Sequence, residues 1–116
     1  MTDRQAALDG ALVIEDVAKL LGVAQRVVSR RAERRSLASL WDGRAVRFPA
    51  WQFGAVGTLP GLSSIVERWP GSIVSLSAWA GSPNVLLDGR TPVAALADED
   101  TAAVQDAVAR YEPSRA

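Results

Sequence analysis

The segment from Ile14 to Phe53 limits the fold most. It sets two short apolar stripes of helical spacing on either side of a glycine and follows them with an arginine-rich hairpin pattern. Ile14, Val17, Ala18 and Leu21 recur at intervals of three and four residues and predict a helix over 14–21. Val13 or Ile14 stands at its N-cap without a side-chain acceptor, and Glu15 and Asp16 partly offset this by putting negative charge in the first turn. Gly22 ends the helix, because a residue without Cβ turns left-handed at no steric cost. A second helix is expected from Ala24 to about Arg35. It buries Val23, Val27 or Val28, Ala32 and the stem of Arg31, and it turns Gln25, Arg26, Ser29, Arg30 and Glu33 or Arg34 outward.

Beyond that helix, Ser36–Trp41 and Arg44–Phe48 alternate in part with period two around Asp42-Gly43, a pair suited to a two-residue hairpin turn. Pro49 has no N–H for a ladder and ends the second strand, while Phe48 and Trp51 return as apolar anchors. Two helices followed by such a wing can set the second helix against DNA. Arginine can bond guanine twice and glutamine adenine twice, so Gln25, Arg26 and Arg30 are placed near base edges. Ser29, Arg31, Arg34 and Arg35 are placed nearer the backbone, and Arg44 and Arg47 of the wing at a phosphate or the minor groove. The plain alternative is a helical hairpin with a solvated basic face, since helix, glycine turn and helix is a common pattern.

Charge distribution favours the first of these. Lys19 to Arg47 holds eight Lys or Arg against Glu33 and Asp42, whereas Gly54 to Ala116 holds four Arg against seven acidic residues, so a zero formal total hides a basic half and an acidic half. With no Cys and no His, thiol chemistry, disulfides, the usual zinc ligands and the best neutral-pH proton carrier are all missing. Gly54, Gly57 and Gly61 lack the preceding strand and the following Lys-Ser or Gly spacing of a phosphate loop. An enzyme, a cofactor and a bound metal are therefore not expected. Residues 1–10 are polar and no apolar run approaches a membrane span, so the expected setting is cytoplasmic, away from membranes.

The remainder reads as short helices. Residues 1–11 carry few apolar anchors and are expected to be mobile or only partly helical. Gly54–Gly61 is a glycine-rich joint between a unit at 12–53 and one at 57–111. Leu62, Ile65, Val66 and Trp69 predict a helix ending before Pro70-Gly71, and Ile73, Leu76 and Trp79 or Ala80 a second, with Val74 leaving a strand open there. Ser82 and Thr91 are read as caps preceding Pro83 and Pro92 in first turns, with Leu86 and Leu87 buried and Asp88-Gly89 turning the chain between them. A last helix is expected from Asp98 or Glu99 to Arg110 or Tyr111, with Ala103 or Val104, Ala107, Val108 and Tyr111 inward.

On these residues, Leu12 to Phe53 resembles the small winged helix-turn-helix domains of the excisionase and MerR type, departing at Val13, where a Thr or Ser cap is usual. The linked residues Trp79, Pro83, Asn84, Leu87, Gly89, Thr91 and Pro92, within Gly57 to Tyr111, resemble the toxin-binding domain of antitoxins in the Xre, MbcA and ParS family. The two resemblances together imply a mainly α fold, a small winged helix-turn-helix followed by a compact helical toxin-binding domain. They imply a homodimeric type II antitoxin that neutralises a RES-domain, NAD-consuming toxin by direct binding and represses its own operon through operator DNA. Contacts to the toxin would fall among Trp79, Asn84, Asp88, Arg90, Tyr111, Glu112, Ser114 and Arg115. The alternative is a dimeric transcriptional regulator or partition-type protein with no toxin partner.

Overall fold

The computed structural model describes residues 2–111. In chain order the elements are α1 (Asp3–Leu8), β1 (Leu12–Val13), α2 (Ile14–Leu21), α3 (Gln25–Glu33), β2 (Leu40–Trp41), β3 (Val46–Phe48), β4 (Phe53–Gly54), β5 (Gly57–Thr58), α4 (Leu62–Arg68), α5 (Ile73–Ala80), α6 (Pro92–Ala97) and α7 (Thr101–Ala109). Single 3-10 turns lie at Ala50–Gln52 and Val85–Leu87. The fold is mainly helical, with a small sheet beside the first helix pair.

Helix α2 has the expected bounds and starts uncapped at Val13. Gly22 closes it left-handed at φ 67°, and α3 packs back across it with Val17 and Val28 fully buried. Helix α3 stops at Glu33, short of the expected Arg35. Arg35 itself turns left-handed at φ 58°, so Ser36 N–H reaches the Arg31 carbonyl at 2.9 Å and Arg35 N–H the Ala32 carbonyl at 3.1 Å. These paired bonds satisfy the last carbonyls of the helix in a motif usually built on glycine.

The hairpin forms, with a different turn. Trp41 faces Val46 across the ladder, so the loop is the four residues Asp42–Ala45 instead of Asp42-Gly43 alone. The Asp42 carboxylate holds that loop closed through the N–H groups of Arg44 (2.7 Å) and Ala45 (2.8 Å). Strand β3 also pairs with β1, giving an antiparallel sheet in the order β1-β3-β2 with Leu12 opposite Phe48. A two-residue strand carries no readable period, which is why β1 has no counterpart in the sequence reading.

Residues 2–11 are partly helical, as one of the two expectations for this stretch had it: 3–8 form α1, because Thr2 Oγ1 accepts the Gln5 N–H at 3.1 Å and α1 packs on α5 with Ala7 buried. Three further expectations are corrected. Within the glycine-rich joint, β4 and β5 pair as a short antiparallel ribbon, and Leu59 beyond it is buried. Asn84, not Ser82, caps the turn that follows Pro83, its Oδ1 accepting the Leu86 N–H at 2.9 Å, which leaves Pro83 outside the turn and Leu86 48% exposed. The last helix starts at Thr101, later than expected.

The segments 12–53 and 57–111 bury their apolar side chains in one cluster, in which Val17, Val28 and Phe48 share an interior with Ile65, Leu76 and Val104. Gln52, fully buried, helps to close it. Its Oε1 accepts the Ala38 N–H at 2.8 Å, and its Nε2 donates to the carbonyls of Ala38 (2.8 Å) and Pro49 (3.0 Å). The side chain thus acts as a strand partner for the segment leaving α3. The Gln52 carbonyl takes the Leu59 N–H at 2.9 Å, and Trp51 Nε1 donates to Ser77 Oγ at 2.9 Å, so both neighbours tie the first segment to the second.

Candidate nucleic-acid interface

Each residue of a helix turns about 100° from the last. In α3 this sets Arg26, Arg30 and Glu33 around the line opposite Val28, and all three are exposed, as are Gln25, Arg34 and Arg35. Among the described residues, Arg26, Arg30, Arg34, Arg35 and Arg44 form no ion pair with a carboxylate. Their charge is available to a partner.

Three of the sequence candidates sit differently. Ser29 is half-buried and lines a groove between α3 and the wing with Ala32, Glu33, Ala45, Val46 and Phe48. Arg31 lies about 140° around α3 from Arg26 by the same rotation and lines the recess beside Leu37, Leu59 and Gly61, away from the exposed arginine line. Arg47 spends its Nε on Asp42 Oδ2 at 2.7 Å, inside the wing. Strand alternation also puts Arg47 on the sheet face opposite Val46. Arg44, at the turn, keeps its guanidinium exposed.

Asp42 is accordingly the electrostatic pivot of the wing. The Ala45 N–H, then the Arg47 guanidinium, then the Arg44 N–H hold its carboxyl at a pKa of about 2, below its ordinary 3.8. It stays ionised through any physiological range, and its charge is matched locally.

The motif from Trp79 to Pro92 forms a hydrogen-bonded loop. Asn84 donates its N–H to the Arg90 carbonyl (3.0 Å), and its own carbonyl accepts from Leu87 (3.0 Å) and Gly89 (3.0 Å). Arg90 reaches the Leu87 carbonyl (3.1 Å), Asp100 (2.8 Å) and Asp98 (3.4 Å). Asp100 above all, and Asp98 after it, raise the Arg90 pKa beyond its ordinary value against the opposing effect of burial. Trp79 is half-buried against Trp69 (centroids 5.0 Å apart), which stacks in turn on Tyr111 (4.2 Å). Of the expected toxin contacts, then, Trp79, Asn84, Arg90 and Tyr111 are engaged inside the chain, and Asp88 is exposed. Glu112, Ser114 and Arg115 lie outside the described residues.

Sequence reasoning missed the outward apolar groups. Val85 is 89% exposed beside Leu86, and Trp41 and Val46 are 56% and 42% exposed on the wing. Only Trp41 carried a signal, its place beside the turn.

No helix among the described residues is long and apolar enough to cross a membrane, and no cluster of three or more acidic, His or Cys side chains among them could hold a metal. No protein-family model matches the chain, and no curated protein matches it. Among solved structures, the chain is similar to one described as "NMR structure of Rv2175c", with a TM-score of 0.63 and 20% sequence identity over 84% of this chain and 80% of that one. What the two share at that identity is the fold, a mainly helical chain with its small sheet set against a helix pair.

Proposed function

We propose that this protein binds double-stranded DNA, with α3 in the major groove and the wing turn on the adjacent backbone. The observation that carries this reading is the line of exposed arginines formed by Arg26 and Arg30 on α3 and Arg34 at its C-cap, without carboxylate partners among the described residues and beside a wing that adds Arg44. Arg26 and Arg30 read base edges with Gln25, and Arg34, Arg35 and Arg44 contact phosphate. Titration of duplexes from the flanking promoter across a salt series is the test. Affinity falls with a log–log slope of about −0.9 per phosphate neutralised, and Arg26→Ala with Arg30→Ala weakens binding on the preferred duplex more than on a scrambled one. Unchanged affinity in that double variant refutes the assignment of α3.

The second segment supports a finer reading, a homodimeric type II antitoxin whose partner is a RES-domain, NAD-consuming toxin. Its loop is locked by the bonds of Asn84 and Arg90, yet it holds Val85, Leu86 and Asp88 out to solvent. Apolar groups held rigidly outward reduce the ordering cost of docking into a protein cleft. Co-expression with the product of an adjacent toxin-like gene, followed by pull-down and an NAD-depletion assay, decides it. Val85→Asp abolishes rescue and leaves DNA affinity unchanged. A protein that binds the promoter but neither captures nor rescues such a product is instead a regulator without a toxin.

A further inference from the structure

Trp41 and Val46 stand directly opposite each other across β2 and β3, so their side chains share one face of the wing. Both are exposed, a costly place for a tryptophan. Val46 continues into the groove lined by Ala45, Phe48 and, on α3, Ser29 and Ala32. The wing turn joining the pair carries the exposed Arg44, and the turn's own carboxylate, Asp42, is matched by Arg47. Glu33 completes the groove and suits a cytosine amino group better than a phosphate. An apolar pair joined by a turn that carries the unpaired guanidinium of Arg44 does not suit a simple phosphate ligand, which has no apolar surface. It suits a polyanion that also offers sugar and base faces.

From this arrangement we infer that Trp41, backed by Val46, is a DNA-contacting residue, packing on deoxyribose and base edges where the wing meets the minor groove. Proteins that enter that groove commonly do so with apolar side chains. The inference rests on the DNA-binding reading above and adds a contact that does not depend on charge.

Counterion release distinguishes the two kinds of contact. In a salt series on one duplex, Trp41→Ala lowers affinity on the order of ten-fold at every salt concentration and leaves the slope unaltered, whereas Arg44→Ala makes the slope shallower by about 0.9. Trp41→Phe restores much of the affinity, since an aromatic face is kept. DNA also quenches part of the fluorescence of the wild-type protein's four tryptophans, and that part is missing in Trp41→Phe. Circular dichroism checks that each variant is folded. Wild-type affinity and slope in Trp41→Ala overturn the inference while leaving DNA binding intact. Failure of the wild-type protein to bind any duplex overturns the reading beneath it as well.

Discussion

Replacing Gln52 with leucine tests how the wing is fixed to the helix pair. The glutamine makes three hydrogen bonds of 2.8, 2.8 and 3.0 Å, two of them to the backbone of Ala38, which is itself fully buried. Leucine fills nearly the same volume and removes all three. The Ala38 N–H and the two carbonyls are left without those partners, at a cost of about 1–3 kcal/mol for each buried group. Taking the lower half of that range gives about 4.5 kcal/mol, from which more favourable burial of leucine recovers roughly 1.5 kcal/mol. The net expectation is a loss of about 3 kcal/mol, or roughly 10–15 °C in Tm for a chain of this size. Urea unfolding followed by circular dichroism and tryptophan fluorescence measures it by linear extrapolation. A glutamate at the same position gives a second reading. It keeps an acceptor for Ala38 N–H but points a carboxylate at two carbonyls, so its folded pKa lies above the unfolded value of about 4.3. The folded form then binds the extra proton, and this variant loses stability as pH rises above about 4.3. A leucine variant within about 1 kcal/mol of the wild type, with a glutamate variant insensitive to pH, would falsify the assignment of Gln52 as a backbone partner.

Two further perturbations act on the candidate interface. The folded pKa of Asp42 is depressed, so its contribution is complete above the unfolded value of 3.8 and is lost as pH falls through about 2. The stability difference between wild type and Asp42→Asn, measured by denaturant titration, narrows across that interval, and a difference constant from neutral pH to below 2 rules the mechanism out. Arg35→Gly relieves a left-handed arginine and is expected to raise stability by about 1 kcal/mol after the added freedom of the unfolded glycine chain is counted. The same change weakens DNA binding and makes its salt slope shallower by about 0.9. A glycine variant less stable than wild type contradicts the account of the α3 terminus.

Helix positions were legible wherever burial follows spacing. The stripe of Ile14, Val17, Ala18 and Leu21 fixes α2, and Gly22 marks its end, because both effects are local. Thr91-Pro92 reads correctly for the same reason: cap and first-turn proline need only adjacent residues. Side chains whose roles depend on distant backbone were not legible. Nothing near Gln52 tells that it pairs with Ala38, and nothing near Arg47 tells that Asp42 will claim it. In the motif loop, either Ser82 or Asn84 could cap, and which one does is decided by Asn84 closing against Arg90. Leu86 and Leu87 are chemically equivalent neighbours, and only the packing of the 3-10 turn distinguishes the buried one from the exposed one. At the candidate site the outward arginines of α3 follow from helical rotation, whereas the exposure of Trp41 depends on a four-residue loop that Asp42-Gly43 does not announce.

Phe48 and Val28 share one interior with Ile65 and Val104, so neither segment can melt without baring apolar side chains of the other. Heat or denaturant should therefore meet one cooperative unit. A ligand held by the arginine line would then raise the unfolding midpoint of the Val85 loop along with the rest of the chain, because whatever binds only the folded form stabilises all of it.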